Sequence, residues 1–220
     1  FPYMNAMGHY LAQSLTIKTQ LRIATISRRD NQYHLASTDG ELYTASQVVV
    51  TVPVDQMTNL LPSYDVQEVA SRFTMEPTWT AVSDLGTPLS DQNGDPLDAL
   101  FGGDHSLFDF VSTEKSKPGR ESSYVVTHAK PEWSAVHIED EPTSVQKQIN
   151  TALETTFGAS VKPVIVHRWR FARPTDPTLT TQKGVFEIDD GLWVAGDYLA
   201  GGRVEGAYLS GIEAAERLNR

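Results

Sequence analysis

The C-terminal segment constrains this chain most. Gly191-Leu-Trp-Val-Ala-Gly-Asp197 reads as a short apolar strand that stops at Gly-Asp. Tyr198-Leu-Ala-Gly-Gly-Arg-Val-Glu-Gly206 is a glycine-rich crossing, and Ala207 to Asn219 has the spacing of a helix. A strand that brings an acid to its tip, followed by a helix whose N-terminus points back at that tip, attracts an anion through free N–H groups and the helix dipole. Gly206, Ser210 and Ala214 fall at i, i+4 and i+8. That stripe of small residues lets the helix lie close against a sheet or a flat ligand. Glu205 in the first turn and Arg217 near the end both suit the dipole. On spacing alone two readings stay open, an anion-holding corner and a tightly packed strand–helix unit without ligand.

The rest of the chain supplies the other layers. Met4, Met7, Leu11 and Leu15 recur at helical spacing, so a helix is predicted over Asn5 to Ser14, with one apolar face toward a core. Strands follow at Leu21 to Ser27, Tyr33 to Ser37 and Glu41 to Thr44, the last after the Asp39-Gly40 turn signal. Val48 to Val52 is a continuous β-branched run ended by Pro53, as expected of a parallel strand buried on both faces. Asp55 to Leu61 reads as a short helix.

From Pro77 the pattern changes. Strands are predicted at Thr78 to Leu85, Ala99 to Phe101, Phe108 to Ser112, Ser122 to Ala129 and Val161 to Phe171. Ser90 to Pro96 reads as a polar turn, Lys115 to Arg120 as a loop, and Arg173 to Pro177 as a break. Thr143 to Phe157 is an amphipathic helix with Val145, Ile149, Leu153 and Phe157 on one face. The expected fold class is mixed α/β: one α/β lobe from residues 1–53 and 179–220, and an inserted lobe at 54–178 with a mixed or antiparallel sheet.

Composition excludes whole classes of function. A net charge of −10 argues against sequence-independent nucleic-acid binding, which needs a basic surface. With no cysteine there is no disulfide, thiol nucleophile or thiolate metal site. No apolar run approaches membrane-span length and no export signal opens the chain, so a cytoplasmic location is the simplest expectation. The opening Phe1 to Gly8, without an initiator Met, reads as the interior of a longer protein. Oligomeric state is not legible.

Gly196-Asp-Tyr-Leu-Ala-Gly-Gly-Arg-Val-Glu-Gly-Ala-Tyr-Leu-Ser-Gly211 resembles the C-terminal flavin segment of the FAD-dependent amine oxidase superfamily. The chain is most similar to the bacterial renalase-like NAD(P)/FAD-dependent oxidoreductases. Pro77-Thr-Trp79, Lys117-Pro-Gly-Arg120, Thr127-His-Ala129, Glu132-Trp-Ser134 and His167-Arg-Trp-Arg-Phe-Ala172 agree in order along nearly the whole chain. The resemblance implies an FAD cofactor. It implies hydride transfer to flavin from a dihydronicotinamide isomer of NAD(P)H, or from an amine, with dioxygen reoxidising the flavin to give hydrogen peroxide.

By position, the resemblance puts Gly196 and Asp197 at the ribityl–pyrophosphate region. Arg203, Val204, Glu205 and Gly206 fall beside the isoalloxazine, Ile23 at adenine, and Val52 and Pro53 at the strand end beside the dinucleotide. The superfamily's G-x-G-x-x-G turn occurs nowhere here. The chain therefore corresponds to about the last two-thirds of the family's fold, and a truncated, non-catalytic binding module is the alternative function.

The resemblance also places Arg168, Trp169 and Arg170 at the flavin and substrate cavity, with His128 as a further lining residue. From the residues alone, Arg168-Trp-Arg170 is equally a strand end with solvated arginines and a core Trp, and His128 a satisfied core histidine. Lys117 and Arg120 read as a solvated basic loop or a weak basic site. Trp79 and Trp133 read as packing residues. Asp104-His105 has no neighbours at metal-ligand spacing, so no metal is expected.

Overall fold

The computed structural model describes residues 5–91, 93–120, 122–180 and 184–219. Met4, the first of the apolar residues at helical spacing, and Gln92 of the predicted polar turn lie outside them. Among the described residues three sheets carry the fold.

The first is an antiparallel meander of β1 (Ile23–Arg29), β2 (Gln32–Ser37) and β3 (Leu42–Ala45). The β1–β2 turn places Asp30 and Asn31 at φ of 49° and 62°, the positive pair that two-residue hairpins require. The second sheet pairs β10 (Val185–Asp189) antiparallel with β11 (Leu192–Ala195), and β11 parallel with β4 (Val48–Val50). Tyr33, fully buried, donates its hydroxyl to the Asp190 carbonyl at 2.7 Å. Arg28 bridges Asp189 and Asp190, so the meander is fastened to the β10–β11 turn.

One apolar core fills the space between these two sheets. It is closed by a 3-10 turn at Val54–Gln56 and by the short helices α2 (Met57–Leu60) and α3 (Gln67–Arg72). Val54, Met57, Leu61 and Val69 are all sealed within it.

The third sheet has five antiparallel strands in the order β6 (Ala99–Phe101), β7 (Phe108–Thr113), β8 (Tyr124–Ala129), β5 (Met75–Asp84) and β9 (Lys162–Pro174). One face is covered by α4 (Pro131–Val136) and α5 (Pro142–Phe157). Val145, Ile149 and Leu153 of α5 are buried against Trp79, Ala81, Val111 and Val125, as the helical spacing predicts. Gly158, at φ +65°, ends α5 in the left-handed conformation. The last helix, α6 (Val204–Leu218), returns over the second sheet.

Three expectations are corrected. The N-terminal helix, α1 (Ala6–Leu11), is shorter than predicted and buries nothing: Met7, Leu11 and Leu15 are exposed. Its periodicity is real, but among the described residues no element covers the apolar face. The Val48–Val52 run forms a parallel strand only to Val50, and it pairs on one side only, because β4 is an edge of its sheet. β9 runs on to Pro174, past the expected break at Arg173, because Glu76 and Met75 of β5 continue the ladder opposite it.

His105 adds a pH dependence to this fold. Its Nδ1 accepts the N–H groups of Leu107 and Phe108 at 3.0 and 2.9 Å, and its ring stacks on Phe108 at 4.1 Å. Burial, with Lys130 nearby, holds its pKa below the ordinary 6.5. The unfolded chain thus takes up the proton first. The stability His105 contributes is complete above about pH 6.5 and is lost as pH falls below it. The melting temperature of the wild type is expected to fall between about pH 6.5 and 5 more steeply than that of His105→Asn, which keeps an acceptor that cannot protonate. Thermal melts across that range check it; parallel curves would refute it.

Candidate functional site

Because β4 and β11 run parallel, with Val48 opposite Leu192 and Val50 opposite Val194, their carboxyl ends emerge side by side. Ligands of open α/β sheets collect at such ends. Val52 and Pro53 follow one strand, Gly196 and Asp197 the other. Tyr198, buried behind them, ties the two tips by donating its hydroxyl to the Val52 carbonyl at 3.3 Å. Burial, with the Asp197 carboxylate nearby, pushes the phenol pKa far above its usual value, so Tyr198 remains a neutral donor.

The crossing beyond β11 is wound around one carbonyl. The N–H groups of Ala200 and Gly202 both donate to Asp197 O, at 2.8 and 2.7 Å. The Asp197 carboxylate accepts the Tyr198 N–H at 2.9 Å. Gly202, at φ +72°, is pressed on the end of β9: a Cβ there would lie 2.4 Å from Pro174 Cγ. This packing carries the chain from the strand tip into α6.

The small stripe resolves toward the sheet. Gly206, Ser210 and Ala214 are the buried residues of α6. A Cβ on Gly206 would lie 2.4 Å from the Ala200 carbonyl oxygen. Ser210 Oγ accepts the Gly196 N–H at 2.8 Å and donates to Gly184 O at 2.5 Å. The Tyr198 ring lies over Gly196, 2.6 Å from where a Cβ would sit. In the sequence Ser210 reads only as a small residue. A hydroxyl in the middle of a buried Gly/Ala stripe was the available sign that backbone groups lay beneath it.

At the start of α6, Arg203 is extended and gives no side-chain cap. Arg203, Val204 and Glu205 are exposed, and Gly206 is the first buried residue. The first-turn N–H groups thus leave a positive helix end uncapped by any side chain.

Beside the free edge of β4 lies a cavity of about 780 Å³, walled by β1, β2, β4 and α2 and reached by Phe171 of β9. Ile23 and Val52 both line it, together with Arg22, Asp55 and Asn59. Its volume is within the roughly 300–1,000 Å³ typical of ligand and cofactor sites. The cavity, apolar along the unpaired strand edge with Arg22, Asp55 and Asn59 as its polar groups, has room for a partly apolar ligand. The structure therefore brings Ile23 and Val52 into one cavity. Gly196 and Asp197 are joined to it through the Tyr198–Val52 hydrogen bond, Arg203 to Gly206 form the helix end beyond the crossing, and Pro53 caps the turn at Val54–Gln56.

The candidate substrate residues divide. In the lateral row Phe101, Phe110, His128, Thr80 and His167, each residue is in register with the next across the sheet. Side chains in register share a face, and alternate residues along a strand do too. His128 and Trp169 consequently share the face opposite α4 and α5. His128 packs edge-on to Phe110 at 6.1 Å, and burial keeps its pKa below the ordinary range. Trp169 is half exposed and packs edge-on to His167 at 4.3 Å.

Arg168 and Arg170 are on the other face. Arg170 makes a two-pronged bond to Glu139 at 2.6 and 2.9 Å, which holds the Glu139 carboxyl below its usual pKa. Arg168 donates to the Asp140 carbonyl at 3.0 Å and lies over Trp79 at 4.8 Å. Both guanidiniums fasten β9 to the turn between α4 and α5. Lys117 and Arg120 both pair with the buried Glu114, so that loop is an ion-paired turn.

Among the described residues no three His, Asp or Glu side chains group as a metal site, and no helix is long and apolar enough to cross a membrane.

The sequence profile of the family described as flavin containing amine oxidoreductase matches residues 3–219. Among solved structures, the chain is similar to a protein described as a protoporphyrinogen oxidase from Exiguobacterium sp. 255-15, with a TM-score of 0.66 and 16% identity, over 98% of this chain and 51% of that one. It is similar to wild-type putrescine oxidase bound to putrescine, with a TM-score of 0.63 and 14% identity, over 97% and 52%. It is also similar to a fatty acid isomerase from P. acnes, with a TM-score of 0.63 and 14% identity, over 96% and 51%. At these identities the likeness is one of fold, and this chain spans about half the length of each.

Proposed function

The chain belongs to the flavin-containing amine oxidoreductases, and from that premise we propose that it forms part of a renalase-like, FAD-dependent oxidoreductase working in the cytoplasm. The reading rests chiefly on one observation: the parallel tips of β4 and β11, locked by Tyr198, open beside a large cavity and lead into a helix with an uncapped N-terminus. Residues 1–53 and 179–220 form the flavin side and 54–178 the substrate side, with α2 and α3 packed back on the flavin side.

When bound, FAD would supply the redox chemistry, hydride acceptance from substrate and reoxidation by dioxygen to hydrogen peroxide. The chain's own residues hold and polarise it. Ile23 and Val52 offer apolar walls and strand backbone. The first turn of α6, at Arg203 to Gly206, favours negative charge on whatever faces it. His128, kept neutral by burial, and Trp169 offer flat surfaces on the open face of the five-stranded sheet. No protein acid or base is required, because hydride leaves a dihydropyridine without a separate proton.

An amine is the second substrate reading. The turning of Arg168 and Arg170 to the opposite face favours it, since the open face then presents aromatic rings, which attract cations.

The test is to purify the full-length polypeptide that contains this chain, record flavin absorbance, and follow its bleaching anaerobically with dihydronicotinamide isomers and with alkyl amines. Bleaching by the isomers is expected. Bleaching by amines alone selects the second reading. A colourless protein that takes up no added FAD overturns both and leaves a non-catalytic binding module.

A further inference from the structure

The loop between β5 and β6 carries a reactive pair that the flavin reading does not use. Among the asparagines of the chain only Asn93 is followed by a glycine. The loop is anchored at its base. Leu89 and Leu97 pack on the core of the five-stranded sheet, and the Leu97 N–H donates to the Leu89 carbonyl at 2.9 Å. Nearer the tip, the Asp91 N–H donates to the Asp95 carbonyl at 2.9 Å. The Asp91 carboxylate accepts the N–H groups of Asn93 and Asp95, each at 2.9 Å.

The turn is therefore built on backbone groups and on Asp91. The Asn93 side chain is not part of that frame. It is exposed, and among the described residues its amide reaches only the Asp91 carboxylate, at a long 3.4 Å.

An asparagine Cγ can close a five-membered ring with the backbone nitrogen of the next residue. A side chain on that next residue hinders the approach. Gly94 has none, it is exposed, and a Cβ there would meet nothing within 4 Å, so no neighbour closes off the nitrogen. The Gly94 N–H donates to the Asp91 carbonyl at 3.1 Å, a bond at an exposed loop tip, where local opening costs little.

We propose that Asn93-Gly94 is a site of self-modification, at which Asn93 loses its amide through a cyclic imide. The Gly94 nitrogen bonds to Asn93 Cγ and gives up its proton to water. The Cγ–Nδ2 bond breaks, and the nitrogen leaves as ammonia with a proton from water. A second water adds to one of the two imide carbonyls and opens the ring. The product carries a carboxylate at position 93 in place of the amide, with the chain continuing through either the α- or the β-carbonyl. Amide and water become carboxylate and ammonium, and no oxidant or cofactor takes part. The new charge stands beside the Asp91 carboxylate and adds to the net −10 of the chain. The fold survives, because Leu89 and Leu97 hold the loop from its base.

The test keeps the folded chain in mildly alkaline buffer, which favours loss of the Gly94 proton, and samples it over time. On ion exchange a more acidic species should grow at the expense of the starting chain. Peptide mapping should place the conversion at position 93, with an isoaspartyl linkage found by fragmentation. Asn93→Gln, whose longer side chain closes the ring far less readily, should keep the wild-type circular dichroism spectrum and melting temperature and lose the acidic species over the same period. No acidic species, conversion first at another asparagine, a product free of isoaspartyl linkage, or an acidic species undiminished in Asn93→Gln would each overturn the proposal.

Discussion

Gly206→Ala is expected to destabilise the chain by ~1–3 kcal/mol, whereas Gly211→Ala in the same helix should stabilise it by up to ~1 kcal/mol. The two glycines differ only in what they face. A Cβ at Gly211 meets nothing within 4 Å, so alanine there simply removes the entropic cost of a helical glycine. At Gly206 the new carbon would meet the Ala200 carbonyl oxygen at 2.4 Å and its carbonyl carbon at 3.1 Å. That carbonyl cannot retreat freely, because the Ala200 N–H is bound to Asp197 O, which also holds the Gly202 N–H. The helix must therefore lift. Lifting it stretches the bonds from Ser210 to Gly196 and Gly184, and the strand tip loses its backing. Urea unfolding of the two variants beside the wild type checks the stability. If the proposed function holds, Gly206→Ala weakens FAD uptake as well, while Gly211→Ala does not. Equal stabilities for the two variants would refute the packing account.

The second large effect is expected at Trp79. Trp79→Ala should cost roughly 3–5 kcal/mol, the range for deleting a large buried aromatic side chain. Trp79 is fully buried at the centre of the five-stranded sheet. Its indole N–H donates to the His137 carbonyl at 3.0 Å, and its backbone N–H donates to Ser134 Oγ at 3.1 Å, so it fastens α4 to β5 at two points. Arg168 stacks over it, which couples it to the Arg168–Glu139–Arg170 clasp. Trp79→Phe keeps most of the volume but strands the His137 carbonyl, and should cost about 1–3 kcal/mol. Thermal unfolding followed by far-ultraviolet circular dichroism separates the two variants. A Trp79→Phe variant as unstable as Trp79→Ala would assign the whole effect to the hydrogen bond and none to packing.

The strands were legible where alternation or β-branching was strong, as in the Val48 run and in Phe108 to Ser112. The amphipathic face of α5 was legible too, because three of its four apolar positions carry the core. Two helices and one strand were not. α3 buries a single residue, Val69, so there is no period to detect. α4 is only six residues long, and Pro131 at its start was its one signal. β10 exists because β11 offers it an edge, which is tertiary information.

At the site, the C-terminal corner could be read because strand, glycines and helix are contiguous in sequence. Arg168 and Arg170 point to one face of β9 and Trp169 to the other. A strand sends successive side chains to opposite faces, so three consecutive residues cannot line one wall. The role of Tyr198 was invisible for a different reason: its partner is a backbone oxygen far away in the chain.

That separation has a kinetic consequence. Val52 and Tyr198 are 146 residues apart in sequence, and the parallel pairing of β4 with β11 closes the same long loop. Closing so large a loop is slow, because chain entropy is lost before any contact rewards it. The meander of β1 to β3 and the five-stranded sheet can each form from nearer neighbours in sequence. During synthesis, the two strand tips meet only after the final strand has left the ribosome. The joined tips of β4 and β11 are therefore expected to be the last part of this chain to assemble, and β4 waits for its partner until β11 is made.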